Sequence, residues 1–422
     1  MPTRTIKLDS VMPRIILLIL LIMCLVFLVF GIKWMLGNTI STQAATKDVA
    51  ELAIGLAPND PKTHFALANV NERSFLPEDG PKSLAGFEKA VSLSPYDYRL
   101  WLALGKSRER SGDVEAAEKD LKRAMDLAPS YAQVKWAFGN LLLRRGKTDE
   151  AFRMIRNAVD NDPKFASPAA TTAWQIFDGD IEKVKKTIGD SAQVKSSLAL
   201  FLAKEGKFED AFEIWKTLPA SGLKTDFKQD SERILQYFLN GQKYKMAFAI
   251  KSQLTDKNKA AVKFEQITNG GFESDVRTDQ PELFDWEIAA GAVPQINLAR
   301  DQKHGGSQSL LINFNITKRE EFRTISQTVA VESGKDYVLE IFYKSDVNVK
   351  ETVKWEVVDA ISQTVISASD PLPQNADWQK MEVAFTAPEA SQGVIVRLIR
   401  EGCESVICPI NGKIWFDDIS LK

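Results

Sequence analysis

The sequence predicts a multidomain chain: an N-terminal transmembrane helix, an all-α superhelix of helical repeats, and a C-terminal all-β sandwich. Three observations predict it. Residues 15–32 form an apolar run without a charge. Between residues 44 and 260, short phrases ending in proline return at a nearly constant interval. After Lys263, apolar and polar residues alternate with the period of half-buried strands. The expected boundaries are a tail at 1–14, the transmembrane helix at 15–36, the repeats at 44–260 and the sandwich at 264–422. With 422 residues, 44% of them apolar and 26% charged, the chain has material for more than one core and is not of the disordered class.

The apolar run, IILLILLIMCLVFLVFGI, is followed by Lys33 and Trp34. As a helix, 18 to 22 residues span about 27–33 Å, the thickness of a bilayer core. Lys33 can snorkel and Trp34 can sit among the headgroups. Arg4, Lys7 and Arg14 against Asp9 place the N-terminal tail in the cytoplasm by the positive-inside rule. The expectation is a single-pass bacterial inner-membrane protein with its bulk periplasmic or extracellular. The other reading is a cleaved signal peptide, but the run exceeds the usual length of about 7–15 residues and no A-x-A pattern follows. Cys24 sits in the run as an apolar filler.

Composition removes several functions. The net charge of −2 offers no basic field for nucleic acid. Two His and three Cys exclude a His-rich metal site or a paired CxxC zinc cluster. No P-loop, GxSxG or HExxH pattern appears. Asp417 and Asp418 are neighbours on an expected strand, so their side chains should face opposite ways and cannot flank one glycosidic bond. The chain therefore reads as a non-enzyme. The competing reading is a glycan-active enzyme with its site at the domain junction.

In the middle segment, phrases end at Pro58, Pro95, Pro129 and Pro163, spaced by 37, 34 and 34 residues. Trp101, Leu104, Gly105, Ala117, Leu121, Ala124 and Pro129 align with Lys135, Phe138, Gly139, Ala151, Ile155, Ala158 and Pro163. His64 falls where Trp101 stands in the next repeat, so it should pack. This order of Trp, Leu-Gly, small residues and Pro resembles the tetratricopeptide repeat (TPR). The resemblance implies stacked helical hairpins, about five here, with a concave face for a protein partner. The other reading is a spacer that lifts the C-terminal domain off the membrane.

In the last segment, Tyr337, Leu339, Ile341 and Tyr343 share one strand face, with Val338, Glu340, Phe342 and Lys344 on the other. Val353, Trp355 and Val357 form a similar set. The ordered phrases Asn269–Glu273, Trp286, His304–Leu310, Gly334–Tyr337, Asp377-Trp378 and Trp415–Leu421 resemble the galactose-binding-like jelly roll of carbohydrate-binding modules. The resemblance covers residues 266–422. It implies a structural Ca²⁺ held by Glu273 and Asp417 with Asp418 adjacent, completed by main-chain oxygens near Lys303 and Gly306. The same acids can instead be hydrogen-bonded in loops without metal. The glycan-facing candidates are Trp355, Phe342, Tyr343 and Trp286, although Trp286 and Trp378 match positions that pack the sandwich. His304 sits in a glycine loop and reads as part of a structural turn. Cys403 and Cys408 can close a small disulfide loop in an oxidising compartment, or remain thiols.

The combined expectation is a membrane-anchored scaffold whose repeats dock a protein and whose sandwich contacts polysaccharide, in bacterial cell-surface polysaccharide biosynthesis or export. A purely structural assembly factor that binds no sugar is the alternative. Neither the glycan nor the docking partner can be named from the sequence.

Overall fold

In the computed structural model, which describes residues 11–74, 76–255, 263–276, 281–318, 321–349, 353–400 and 407–422, the apolar run forms one unbroken helix, α1 (Val11–Gln43). It is long and apolar enough to cross a membrane by length and composition. Its large apolar side chains from Ile15 to Leu36 are exposed, and the exposure ends at Gly37, which is buried. The chain divides into two compact units, Met1–Val194 and Lys195–Lys422.

In the first unit, the end of α1 packs on α2 (Lys47–Leu56) and α3 (Pro61–Glu72). A Cβ on Gly37 would meet Ala57 Cβ at 2.7 Å and the Ala53 carbonyl oxygen at 2.9 Å, so only glycine permits this approach. Asn38 Nδ2 donates to Asp60 Oδ2 at 2.9 Å, which fixes the rotation of α1 against α3. The apolar helix is thus also the first helix of the repeat array. The hairpins continue as α3 with α4 (Asp79–Leu93), α5 (Tyr98–Ser111) with α6 (Val114–Leu127), α7 (Ala132–Arg144) with α8 (Thr148–Asn161), and α9 (Ala166–Ile176) with α10 (Ile181–Ile188).

The repeat phrases have direct physical counterparts. Pro58, Pro95, Pro129 and Pro163 each stand two residues beyond the end of α2, α4, α6 and α8, where a residue without an N–H ends the ladder at no loss. Asp60 and Asp97 then open the next helices, their Oδ1 atoms accepting from the Lys62 and Arg99 amides at 2.9 and 3.0 Å. Gly112 closes α5 with φ +88°, a left-handed cap that glycine adopts without steric cost. Gly105 lets Leu121 approach to 2.8 Å of where a Cβ would stand, and Gly139 does the same for Ile155. Leu121 and Ile155 are fully buried; truncating either to alanine costs about 2–5 kcal/mol. The array holds more hairpins than the five expected. In the α9–α10 pair, α9 buries Ala166, Ala169, Ala170 and Ala173 and α10 buries Val184 and Ile188, without the Leu-Gly phrase of the earlier repeats.

The second unit contains most of α11 (Ala192–Lys204), then α12 (Phe208–Lys216), α13 (Lys228–Asn240), α14 (Tyr244–Leu254) and the β domain. Trp215 Nε1 donates to Ser231 Oγ at 2.9 Å, tying α12 to α13. Among the described residues, ten antiparallel strands follow: β1 (Glu287–Ile288), β2 (Gln295–Ala299), β3 (Ser309–Lys318), β4 (Ile325–Ala330), β5 (Asp336–Val347), β6 (Val353–Asp359), β7 (Val365–Ala368), β8 (Asn375–Thr386), β9 (Gly393–Arg400) and β10 (Ile407–Leu421). They make two five-stranded sheets, ordered β1-β4-β9-β6-β7 and β2-β3-β10-β5-β8. The alternation in β5 is as the sequence predicts: Tyr337, Leu339, Ile341 and Tyr343 face the core, and Phe342 and Lys344 face outward. In β6 it fails, because Glu356 and Val358 are buried along with Val353, Trp355 and Val357. Glu356 is held there by Arg397 Nη2 at 2.8 Å.

Helix α14 is packed onto the sandwich. Tyr244 Oη donates to the Ala360 carbonyl at 3.2 Å, and its ring fills the space where Gly393 lacks a side chain. Phe248 lies 5.6 Å from Phe264 and 5.7 Å from Phe284. Compactness therefore divides the chain near residue 194, whereas the period of the sequence changes near residue 263.

Candidate functional site

Three places bear on function: a carboxylate cluster on the sandwich, the aromatic residues expected to meet sugar, and a cleft on the first repeats. The cluster joins β10 to the glycine turn before β3. Asp417 Oδ2 accepts from the backbone amides of His304 at 2.8 Å and Gly305 at 3.0 Å. Asp418 Oδ2 lies 2.7 Å from His304 Nδ1. Glu273 Oε1 accepts from the Ser307 amide at 2.7 Å, and its Oε2 from the Ser307 hydroxyl at 2.5 Å. The Ser307 hydroxyl and amide hold the Glu273 carboxyl below its usual range, whereas burial pushes Asp417 up.

Asp417 and Asp418 both reach the same turn, contrary to the expectation that neighbours on a strand diverge. The register of β10 against β5 slips between Asp417 and Ser420, and Asp418 takes φ +46°. This bulge re-aims one side chain. All three acids border the same glycines: a Cβ on Gly271 would lie 3.5 Å from Asp418 Oδ1 and 3.9 Å from both Asp417 Oδ1 and Glu273 Cγ. The oxygen donors suit a hard cation such as Ca²⁺. As placed, Asp417 and Glu273 accept from loop amides and the Ser307 hydroxyl, and Asp418 Oδ2 is met by the His304 ring. Among the described residues, no group of three or more His, Cys, Asp or Glu is gathered closely enough to hold a metal.

The aromatic candidates separate. Trp286 and Trp355 are 1% and 0% exposed; in the core Trp286 stacks on Phe272 and Trp355 meets Phe416 edge-on. Tyr343 is also buried. Rings enclosed in this way offer no face to a sugar. Phe342 is half-buried on the outer face, but His304 lies flat on it at 3.8 Å between centroids. Trp378, expected in the core, is instead half-buried on the surface, 5.8 Å from His304. His304 is the residue the sequence undervalued: it ties Asp418, 114 positions away, to Phe342, 38 positions away. Cys408 is disulfide-bonded; Cys403, its expected partner, lies outside the described residues.

The cleft, about 620 Å³, lies between the end of α1 and the first helices of the next two hairpins, α3 and α5. Phe65, Ala66, Val70 and Leu100 give it an apolar floor. Lys62, Arg73 and Arg99 stand at its rim with Asn69, Ser41 and Asp97. Asp97 is spoken for: Arg99 grips it with Nε–Oδ1 at 2.9 Å and Nη2–Oδ2 at 2.7 Å, holding its carboxyl below the usual range. Such a groove suits side chains of an extended or helical segment.

A tetratricopeptide-repeat family model matches residues 98–131, the α5–α6 hairpin with the turn that follows it. The chain is 30% identical over 91 residues to the peroxisomal targeting signal receptor of Saccharomyces cerevisiae; the match covers 22% of this chain and 14% of the receptor. Among solved structures, a CBM4 domain is 17% identical, covering 37% of this chain and 98% of that domain at a TM-score of 0.28. The Pseudomonas aeruginosa pilF structure is 15% identical, covering 54% and 90% at a TM-score of 0.30. YrrB, described as a TPR protein with an unusual peptide-binding site, is 12% identical, covering 50% and 92% at a TM-score of 0.27. Scores this low carry no functional argument. The chain carries a tetratricopeptide repeat at residues 98–131, an N-terminal apolar helix of membrane-crossing length, and a C-terminal domain of two antiparallel sheets.

Proposed function

We propose that the protein is a non-enzymatic docking scaffold, anchored in a bacterial inner membrane by α1 with its N-terminus cytoplasmic and its bulk outside. The observation that carries this reading is the junction at Gly37, where a helix of membrane-crossing length becomes the first helix of the repeat array. A tether needs no such close packing, whereas a scaffold that must present a surface at a fixed height does. The test places a photoreactive residue at Tyr96, 80% exposed at the head of α5, and at other exposed positions along the array. A discrete protein adduct in cells supports docking, and no adduct at any position defeats it. Alkaline phosphatase fused to the C-terminus should be active; an inactive fusion, paired with a fluorescent cytoplasmic one, removes the orientation.

The finer reading assigns the scaffold to cell-surface polysaccharide biosynthesis or export, with the sandwich touching glycan and Glu273, Asp417 and Asp418 holding Ca²⁺. Its support is the sequence resemblance and the oxygen-rich acid cluster. The burial of Trp286, Trp355 and Tyr343 favours the second reading, a sandwich that contacts protein and binds no sugar. A glycan array probed with the whole chain decides between them.

A further inference from the structure

We propose that the cleft between α1, α3 and α5 receives an acidic, apolar-bearing segment of a second protein that lies beside the membrane. This rests on the scaffold reading and adds where on the array the partner sits and what chemistry it carries.

Three features of the cleft point the same way. First, its charge is unbalanced. Asp97 is consumed by Arg99 and by the cap of α5. Lys62 and Arg73, both exposed, leave the rim cationic. An occupant that supplies carboxylates is therefore drawn in, and one with like charge is repelled. Second, the floor is apolar and spans successive helices, with half-buried Phe65 and Val70 on α3 and buried Leu100 on α5. A floor of that extent takes several side chains of a polypeptide, and a single phosphate would leave it bare. Third, the cleft includes Ser41 and Thr42 of α1. Ser41 stands five residues past Leu36, the last of the large exposed apolar residues of the run. At 1.5 Å per residue that is about 7.5 Å, roughly the depth of one headgroup layer. A segment entering here is the part of a membrane protein that has just left the bilayer.

A second groove among the described residues of this unit shows the contrast. It lies along α8 and α10, with Arg153, Arg156 and Lys186 at its edge. There Arg156 is spent on the carbonyls of Lys186 and Thr187 at the end of α10, and no part of α1 lines it.

The test is a peptide-display selection against the full chain in nanodiscs of neutral phosphatidylcholine. The expected result is enrichment of peptides pairing Asp or Glu with Leu, Ile or Phe. Recovered peptides should bind the Lys62→Glu/Arg73→Glu double variant about tenfold more weakly or worse, lose affinity as salt rises, and bind Arg153→Glu as they bind wild type. Circular dichroism of the exposed-residue variants checks that they stay folded. Peptides without acidic bias, or peptides indifferent to Lys62→Glu/Arg73→Glu, overturn the site. If those peptides are lost on changes elsewhere along the array, the scaffold reading stands without this cleft. A selection that returns nothing from the wild type overturns the site, and the Tyr96 cross-link then decides separately on docking. Peptides displaced fully by phosphatidylglycerol nanodiscs, with no acidic preference, show a lipid site and overturn it as well.

Discussion

His64 and Trp101 make the same contact one repeat apart. Trp101 Nε1 donates to the Pro95 carbonyl at 2.8 Å, and His64 Nε2 donates to the Pro58 carbonyl at 2.8 Å. Each bond ties a first helix to the proline that ended the helix before it. One site therefore needs a ring N–H at a fixed reach, and two different residues meet the need. Trp101→Phe keeps most of the apolar contact and loses the donor, with an expected cost of about 0.5–1.5 kcal/mol in thermal melts. His64→Trp, which keeps a donor, should hold the melting temperature, and His64→Phe should lower it. Equal melting of His64→Trp and His64→Phe would separate the two sites.

The junction at Gly37 predicts a local defect. Gly37→Val puts carbon where Ala57 Cβ and the Ala53 carbonyl already stand. Overpacking of this kind costs about 1–3 kcal/mol. The end of α1 should part from α2, and limited proteolysis should cut near residues 44–46 in the variant first. An unchanged cleavage pattern would show that the first hairpin closes by another route.

Asp120 predicts a pH effect. It is buried, bonded through both oxygens to Arg108 Nη1 at 3.0 and 2.9 Å, and burial raises its carboxyl to about 6. Folded, this group keeps its proton to higher pH than it does unfolded. Its contribution to stability is present in full below about 4 and is lost as pH rises through about 6. The melting temperature of wild type minus that of Asp120→Asn should fall across that window, whatever the constant offset between them. A flat difference would place the carboxyl back at its ordinary value.

Calcium predicts a melting shift. If Glu273, Asp417 and Asp418 bind the ion, the full chain should melt higher in millimolar Ca²⁺ than in chelator, by the stabilisation that ligand binding gives the folded state. Glu273→Gln should abolish the difference. An identical melt in both buffers removes the metal and leaves the acids as straps for the turn at 303–308.

How much was legible follows from where each constraint lives. The repeat phrases can be read because close helix packing needs small residues at Gly105 and Gly139 and a stop at each proline, all within one hairpin. The α9–α10 hairpin meets the same need with an alanine face on α9 and Val184 and Ile188 on α10, residues that sequence reading cannot tell from ordinary helix. In the sandwich, alternation placed Tyr337 to Tyr343 correctly because it depends on strand period. It failed at Asp418, where a bulge breaks the period. The pairing of His304 with Asp418 spans 114 residues and exists only once β3 and β10 are side by side. Burial of Glu356 beside Trp355 depends on Arg397 in the neighbouring strand, again a relation no local window contains.

In the anchored arrangement proposed above, α1 would leave lipid as a rod and enter a folded array without a joint, and its lean would become a displacement of that array. A thicker bilayer would straighten the rod and a thinner one would lay it over, so the first hairpins would ride at a height and angle set by the surrounding lipid. Placement of whatever these hairpins hold would then respond to membrane composition, with no ligand and no change in the fold.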